Sequence, residues 1–566
     1  MMSHNQKLKK LFPPHTLRNR FVKKIARKLR LLSPHHVDIR YLEWIEGVEP
    51  LCWSPTIDDG YLPLISIVVP VFNVEETFLR EMVFSVVNQT YGNWELILIN
   101  ASSNKKRCDY TVWCEGIDDR IKVISISNLG IAGNTNEGIK QSRGEYVALL
   151  DHDDLLAPEA LNEVMSSLQL NPRPQLIYSD EDKMNAVTEQ RFDPHFKSDW
   201  SIHLMRQVNY LNHLTVIEKK LIDSIGGYRM GFDGAQDYDF YLRLIDKKPV
   251  IYHIPKVLYH WRAAKSSTAA DFSNKKNVLE AGIGALRDHL KRNQLEARVT
   301  SLIDQPGYYE VKYSAKSKVA IVIMASQSVN YYAEYVRLFV KTQLKLIGSD
   351  VEIYSNNLKA NTAYLTKHKM NLSNIVSDNS TEYVGSVLKK SQAETFILID
   401  AAILPKEKNW MNDIAGMSQQ CDDIAIVSPI LVDKSTDTII DAGYLRQGKE
   451  FIPLFRGYPV KSHSPFGSAL FTRSVDQISG RVMVASRSVV EKYMLPNKFN
   501  TSLICDNILT DNLKIIIRTQ SVFNYFGDMN YKTVKSYNFS PSLTGVRYEL
   551  GLPSLIRVSK SGEDNA

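Results

Sequence analysis

Asp151-His152-Asp153-Asp154 stands directly behind the apolar run Tyr146-Val147-Ala148-Leu149-Leu150. A short buried strand ending in three carboxylates crowds like charges near low-dielectric surroundings, and a cation relieves that repulsion. Oxygen ligands suit Mg2+ or Mn2+, ions that keep open positions for the phosphate oxygens of a substrate. The carboxyl end of a strand is also where open α/β sheets bind ligands. The competing reading is a solvated acidic turn ahead of the helical pattern that begins at Pro158-Glu159-Ala160.

Four more segments carry chemistry-bearing side chains. Pro70-Val71-Phe72-Asn73, with Glu75 just beyond, ends an apolar strand, and an Asn there can bond a base or ribose or simply make a turn. Asn128 to Gly138 sets three glycines and three asparagines at a helix opening, where exposed N–H groups favour phosphate. Asp237 and Asp239 lie at the mouth of another helix. A carboxylate there can act as general base on a hydroxyl, or serve only as a first-turn acid. In Tyr259-His260-Trp261-Arg262, His260 can complete a metal shell and Arg262 can neutralise a diphosphate, against a plain packing role.

These residues need a scaffold. From Leu64 to Lys183 the pattern alternates: strands Ile65–Val71, Trp94–Asn100, Ile121–Ile126 and Glu145–Leu150, with helices Glu75–Gln89 and Ala132–Ser142 between them. Such alternation predicts α/β architecture, a mostly parallel sheet flanked by helices. A second alternating pattern begins near Ser317, with strands Lys318–Met324 and Thr395–Asp400. The chain, 566 residues long, is too large for one core. The expected division is a basic N-terminal segment 1–62, a catalytic domain 63–270, a helical connector 271–316, a second α/β domain 317–535 and a tail 536–566.

Hydrophobic content of 44% and charged content of 23% are those of a soluble globular protein. The five cysteines lack metal-ligand spacing and predict reduced thiols in a cytoplasm. No apolar run is long enough to predict a membrane span, and the start of the chain lacks signal-peptide features. Met1 to Val37 has no acidic residue, and the positions from Leu17 to Leu32 read as a basic amphipathic helix. That pattern fits peripheral contact with anionic membrane or docking on the chain's own acidic surface. No reader motif points to nucleic acid.

Taken in order, these segments resemble glycosyltransferase family 2, inverting enzymes of the GT-A (Rossmann-like) fold, over roughly residues 64–270. The carriers are Pro70–Asn73, Asn128–Gly138, Gly144–Asp154, Gly226-Gly227-Tyr228, Gln236–Asp239 and Tyr259–Arg262. Tyr178–Lys183, Pro194–Lys197 and Asp199–Ser201 look like a bacterial polysaccharide-building branch. The resemblance implies Asp151, Asp153 and His260 as ligands of Mg2+ or Mn2+, and Asp237 as the acceptor-activating base. It implies a donor site formed by Pro70, Phe72, Asn73, Glu75, Asn100, Asn128, Gly130, Asn134, Asp151 and Arg262. One departure stands out: the family's second strand often ends Asp-Asp-x-Ser, whereas this one ends Asn100-Ala101-Ser102-Ser103.

The implied activity is transfer of a hexosyl or deoxyhexosyl unit from a nucleotide-diphosphate sugar to a glycan or lipid-linked glycan acceptor. Such a reaction would build lipopolysaccharide O-antigen, capsule or a similar surface glycan, at the inner face of the cytoplasmic membrane. Residues 317–530 look like a degenerate copy, in which Asp400 alone remains where the acidic cluster stood and Cys505-Asp506-Asn507 stands for the acceptor segment. A nucleotidyltransferase shares the strand-end acids but would want a basic Gly-rich loop after the first strand. A non-catalytic sugar-nucleotide or glycan scaffold is the alternative from outside enzymology.

Overall fold

A computed structural model describes residues 39–52, 60–263, 275–303, 307–324, 351–356, 372–375, 379–407, 409–448, 450–460 and 469–525, together with Phe339 and Thr342. The amphipathic segment Leu17–Leu32 and the tail lie outside the described residues. The chain divides into two compact units, one holding 39–294 and 299–310, the other 295–298 and 311–525.

The first unit contains β1 (Ile65–Val71), β2 (Trp94–Asn100), β3 (Ile121–Ser125), β4 (Tyr146–Leu149), β5 (Leu155–Leu156), β6 (Leu176–Asn185), β7 (Arg191–His195), β8 (Thr215–Glu218) and β9 (Ile251–Ala263). They form one sheet in the order β3-β2-β1-β4-β8-β6-β9-β5, with β7 on β6. The β3-β2-β1-β4 part is parallel. Beyond it β8 runs antiparallel to both β4 and β6, while β9 is parallel to β6 and antiparallel to β5. The sheet is therefore mixed where the sequence pattern predicts mostly parallel. Two of the strands that pair antiparallel, β5 and β8, are short, and all of this half follows the acidic cluster, where the repeating strand–helix spacing has ended.

β1 reads as a mostly apolar run, interrupted only by the buried Ser66, because both its faces are covered. Ile65, Ile67 and Val69 pack with Leu79, Met82 and Val83 of the helix Glu76–Val87. On the other face the helix Gly130–Gln141 comes so close that a Cβ on Gly138 would meet Val68 Cγ1 at 2.4 Å. The helix Lys275–Arg292, expected as part of a connector, is tied to this first unit. Arg206 Nε donates to His289 Nε2 at 3.1 Å, and Arg292 Nε to Asp246 at 2.5 Å.

Two short strands, β10 (Ala297–Ser301) and β11 (Tyr309–Tyr313), precede the second unit's sheet. That sheet contains β12 (Val319–Met324), β13 (Val351–Asn356), β14 (Leu372–Ile375), β15 (Thr395–Asp400), β16 (Ile403–Pro405), β17 (Ile424–Asp433), β18 (Ile439–Asp441), β21 (Arg473–Val475), β22 (Val482–Ser486) and β23 (Lys514–Tyr525), while β19 (Tyr444–Gln447) and β20 (Glu450–Pro453) form a separate ribbon. Its order is β14-β13-β12-β15-β22-β17-β23-β16. Along this order, with the same parallel and antiparallel relations, it repeats the first sheet, and β21 on β23 is an addition. The second unit thus carries the same α/β sheet topology as the first.

Cys108, Cys114, Cys421 and Cys505 are free thiols. Among the described residues no helix is long and apolar enough to cross a membrane.

Candidate active site

The acidic turn is built between β4 and β5. The Leu150 N–H reaches Val68 O at 3.2 Å, and Asp154 N–H closes onto Asp151 O at 3.3 Å. β9 then runs beside it, with Leu155 opposite His260 and Leu156 opposite Tyr259. Asp154 is buried and structural: Tyr259 OH donates to Oδ2 at 2.6 Å and the Arg262 N–H to Oδ1 at 2.7 Å. Arg262 is itself only 1% exposed. Its Nε donates to Asp153 O at 2.6 Å, its Nη2 forms a 2.7 Å ion pair with Glu81, and its guanidinium lies over Phe78. The structure therefore sets Arg262 to clamp the acidic turn.

Asp151 and Asp153 are the turn's two more exposed carboxylates, at 48% and 32%. The ion-pair partners nearest them are imidazoles, His213 Nε2 at 3.8 Å from Asp151 and His152 Nε2 at 4.0 Å from Asp153. Burial, with Asp151 adding to it, raises the Asp153 carboxyl above the usual range. Asp154 is raised for the same reasons, burial first and then both neighbouring acids. Among the described residues no three His, Cys, Asp or Glu side chains converge into a finished metal cage. The donor chemistry nevertheless fits a hard divalent ion, because two carboxylates are crowded and only lightly paired.

His260 stands opposite Asp182 of β6, and its Nδ1 lies 2.7 Å from Asp182 Oδ1. A carboxylate only accepts, so Nδ1 carries a hydrogen, and Nε2 is the ring nitrogen that this bond leaves for a ligand. Beside it, Glu181 takes His213 Nδ1 and the His213 N–H, each at 3.0 Å, and His195 Nδ1 at 3.2 Å. Lys197, wholly buried, donates to Asn212 O and His213 O at 2.6 Å each. Burial opposes charge on His213, but the Glu181 bond and the charges of Glu181, Asp151 and Asp154 outweigh it and push the imidazole up to about 9.

Asp237 is the second residue of the helix Gln236–Ile245. Gln236 Nε2 donates to it at 3.1 Å, and Tyr228 and Asn212 also bond its carboxyl. Burial raises Asp237, the charge of Asp151 raises it further, and His213 and the two hydrogen bonds oppose. Asp151, His213 and Asp237 thus act on one another within a single electrostatic neighbourhood. Asp239, two residues on, faces the other way, buried and paired with Arg229 and with Arg243 Nε at 2.9 Å.

The remaining sequence candidates fall at the ends of β1 and β2 and at the next helix opening. Asn73, at φ 50°, latches the two strand ends together: its Oδ1 accepts the N–H groups of Ser103 and Asn104 at 3.1 and 3.0 Å. Arg107 reaches Asn73 O and pairs with Glu75. Asn100 is buried, bonding Cys108 O at 3.2 Å. Pro70 O accepts from His152 Nδ1 at 3.0 Å, and Phe72 is 44% exposed. Asn128 accepts the Gly130 N–H at 2.9 Å and Asn134 Nδ2 at 3.0 Å, so this trio shapes the helix opening.

Sequence reasoning passed over His213 and Asn136. His213 is joined by only one cue, its place just ahead of the buried strand β8. Asn136 accepts the Tyr228 N–H at 2.8 Å and donates to Tyr228 O at 2.9 Å, locking the turn that delivers Tyr228 to Asp237. Gly227, at φ +73°, leaves room for it, since a Cβ there would sit 2.5 Å from Asn136 Oδ1.

Residues 66–231 match the family model described as Glycosyl transferase family 2. The chain is 43% identical over 234 residues to the uncharacterized protein y4gI of Sinorhizobium fredii, covering 41% of this chain and 26% of that protein. It is 30% identical over 441 residues to the O-antigen biosynthesis protein RfbC of Myxococcus xanthus, covering 76% of this chain and 34% of that protein. The chain thus spans about a third or less of the length of these two relatives. Among solved structures, S. aureus TarS 1–349 in complex with UDP-GlcNAc aligns at 16% identity and a TM-score of 0.34, over 41% of this chain and 69% of that one. The mannosyltransferase PcManGT from Pyrobaculum calidifontis, in complex with GDP-Man and Mn2+, aligns at 15% identity and a TM-score of 0.30, over 45% of this chain and 81% of that one.

Proposed function

We propose, for a chain whose residues 66–231 form a glycosyltransferase family 2 domain, that the first unit is an inverting glycosyltransferase acting in the synthesis of a cell-surface polysaccharide. It moves a sugar from a nucleotide-diphosphate donor to a hydroxyl of a growing glycan. The observation that carries the reading is the pairing of a poised base with the acidic turn: Asp237 is raised by burial and by Asp151, and is held in place by Gln236, Tyr228 and Asn212. A base whose pKa is lifted toward the working pH accepts a proton more effectively.

Asp237 takes the proton from the acceptor hydroxyl, which attacks the anomeric carbon from the face opposite the departing diphosphate, so the stereochemistry inverts. Asp151, Asp153 and His260 Nε2 are the groups that would hold Mg2+ or Mn2+; when bound, such an ion neutralises charge on the diphosphate. Arg262 fixes the turn that presents these carboxylates. His213, charged through Glu181, adds a cation beside Asp151. The exposed Phe72 and the helix opening at Asn128–Asn134 border the nucleotide's side of the site. The relative named for O-antigen biosynthesis favours a lipopolysaccharide-type acceptor, and the basic segment 17–32 favours work at the inner membrane face.

The second unit supports a non-catalytic role, because its strand-end acid is single and already paired. The test is hydrolysis of a panel of sugar nucleotides by the full chain with Mn2+ and with EDTA. Release of nucleotide diphosphate from one donor, dependent on added metal, is the expected result. No turnover of any donor in either condition would instead favour the scaffold reading.

A further inference from the structure

The helix Ile39–Gly47 and the turn after it reach the acidic centre through a chain of buried polar contacts. Asp182, whose side chain is 0% exposed, is the hub. Its Oδ1 holds His260 Nδ1 at 2.7 Å; its Oδ2 accepts Tyr41 OH at 2.6 Å and Arg191 Nε at 2.5 Å. Arg191 in turn forks onto Glu49, Nη1 to Oε2 and Nη2 to Oε1, each at 2.7 Å. Tyr41 is 1% exposed and Trp44 3%, and both pack on Phe196 and Val257.

A histidine that ligates a metal with one nitrogen is ordinarily oriented by a carboxylate on the other, and such outer partners tune affinity. Here that carboxylate has its second oxygen held by Arg191 and by Tyr41, the latter 141 positions away in sequence. We propose that residues 39–52 are a positioning element of the active site: Tyr41 and Glu49, acting through Asp182 and Arg191, hold the ring of His260 so that Nε2 is presented to a divalent cation. This rests on the assignment of His260 as a ligand. Tyr41 and Glu49 touch neither substrate nor cation. The packing residue Trp44 shares the same helix but not the polar chain, which separates positioning from simple docking of the helix.

The test is Mn2+ titration of the full chain, followed by electron paramagnetic resonance of the free ion, with thermal melts as the check on folding. Tyr41→Phe and Glu49→Gln are expected to weaken Mn2+ binding about 10-fold, the lower range for loss of an outer partner. Glu49→Gln keeps the shape of the side chain and one acceptor for Arg191, so it guards against failure of Tyr41→Phe to fold. Trp44→Leu should lower the melting temperature and leave Mn2+ affinity unchanged. Equal affinity in His260→Ala and the native chain removes the ligand assignment itself. A loss in His260→Ala with none in Tyr41→Phe or Glu49→Gln overturns the positioning role alone, as does an equal loss in Trp44→Leu.

Discussion

Arg481 Nη1 lies 3.1 Å from Asp400 Oδ2, in the place that His213 takes toward Asp151 in the first unit. The strand registers make the match. Leu149 pairs with Thr215, which sets Asp151 opposite His213; Ile399 pairs with Val482, which sets Asp400 opposite Arg481. One sheet therefore keeps a cluster of acids facing a titratable imidazole, and the other keeps one acid facing a permanent guanidinium. Arg481 thus places a fixed positive charge beside Asp400. Arg481→Leu should remove the guanidinium from the largely buried Asp400, destabilising the second unit by about 1–2 kcal/mol, reduced from the fully buried case because Arg481 is partly exposed. Urea unfolding measures this, and transfer by the first unit should be unchanged.

Arg262 offers a sharper separation of roles. As a clamp it bonds Asp153 O and pairs with Glu81 from an almost completely buried position. A lysine cannot reproduce that fork. Arg262→Lys should therefore cost about 2–4 kcal/mol of stability, in the range for disrupting a buried charged network. A rise in donor KM with unchanged urea midpoint would instead make Arg262 a direct donor contact.

Much of the fold was legible because its first half obeys simple periodicity. β1 and β2 are buried on both faces, so they read as mostly apolar runs, and the helix after β1 carries one apolar side. The acidic turn was legible because carboxylates behind an apolar strand need a reason. What could not be read was which acids do architectural work. Asp154 and Asp239 look like Asp153 and Asp237 in sequence, and only the approach of Tyr259, Arg229 and Arg243 tells them apart. The mixed half of the sheet was hidden for a similar reason: β5 is two residues long and β8 four, too short to show a period. His213 was invisible because its partner Glu181 lies 32 residues away.

His213 should leave a signature in stability against pH. Its folded value is about 9 against an ordinary 6.5, so the folded state binds more protons between those limits. Its contribution to stability is complete below about 6.5 and fades as pH rises through about 9. Lys197, lowered by burial to about 8, works in the opposite sense above that pH, so the comparison must be with a variant and not with absolute stability. His213→Gln should abolish the part of the decline in melting temperature between pH 6.5 and 9 that the native chain shows. Parallel profiles for the two proteins would mean that His213 is not held as a cation.

Asp237 joins geometry to rate. If it is the base, Asp237→Asn keeps the bonds that a carbonyl oxygen can accept but removes the proton acceptor, so kcat should fall by roughly 1,000-fold, within the range of general base catalysis, with donor KM little changed. Its carboxyl is raised by burial and Asp151, so the acid limb of kcat/KM should lie above the ordinary aspartate range. Tyr228 bonds the ionised form and lowers it. Removing that bond in Tyr228→Phe should move the acid limb to higher pH, leaving the rate on the plateau less affected than the rate at low pH. A limb that stays in place in Tyr228→Phe, together with near-native turnover in Asp237→Asn, would assign proton removal to another group.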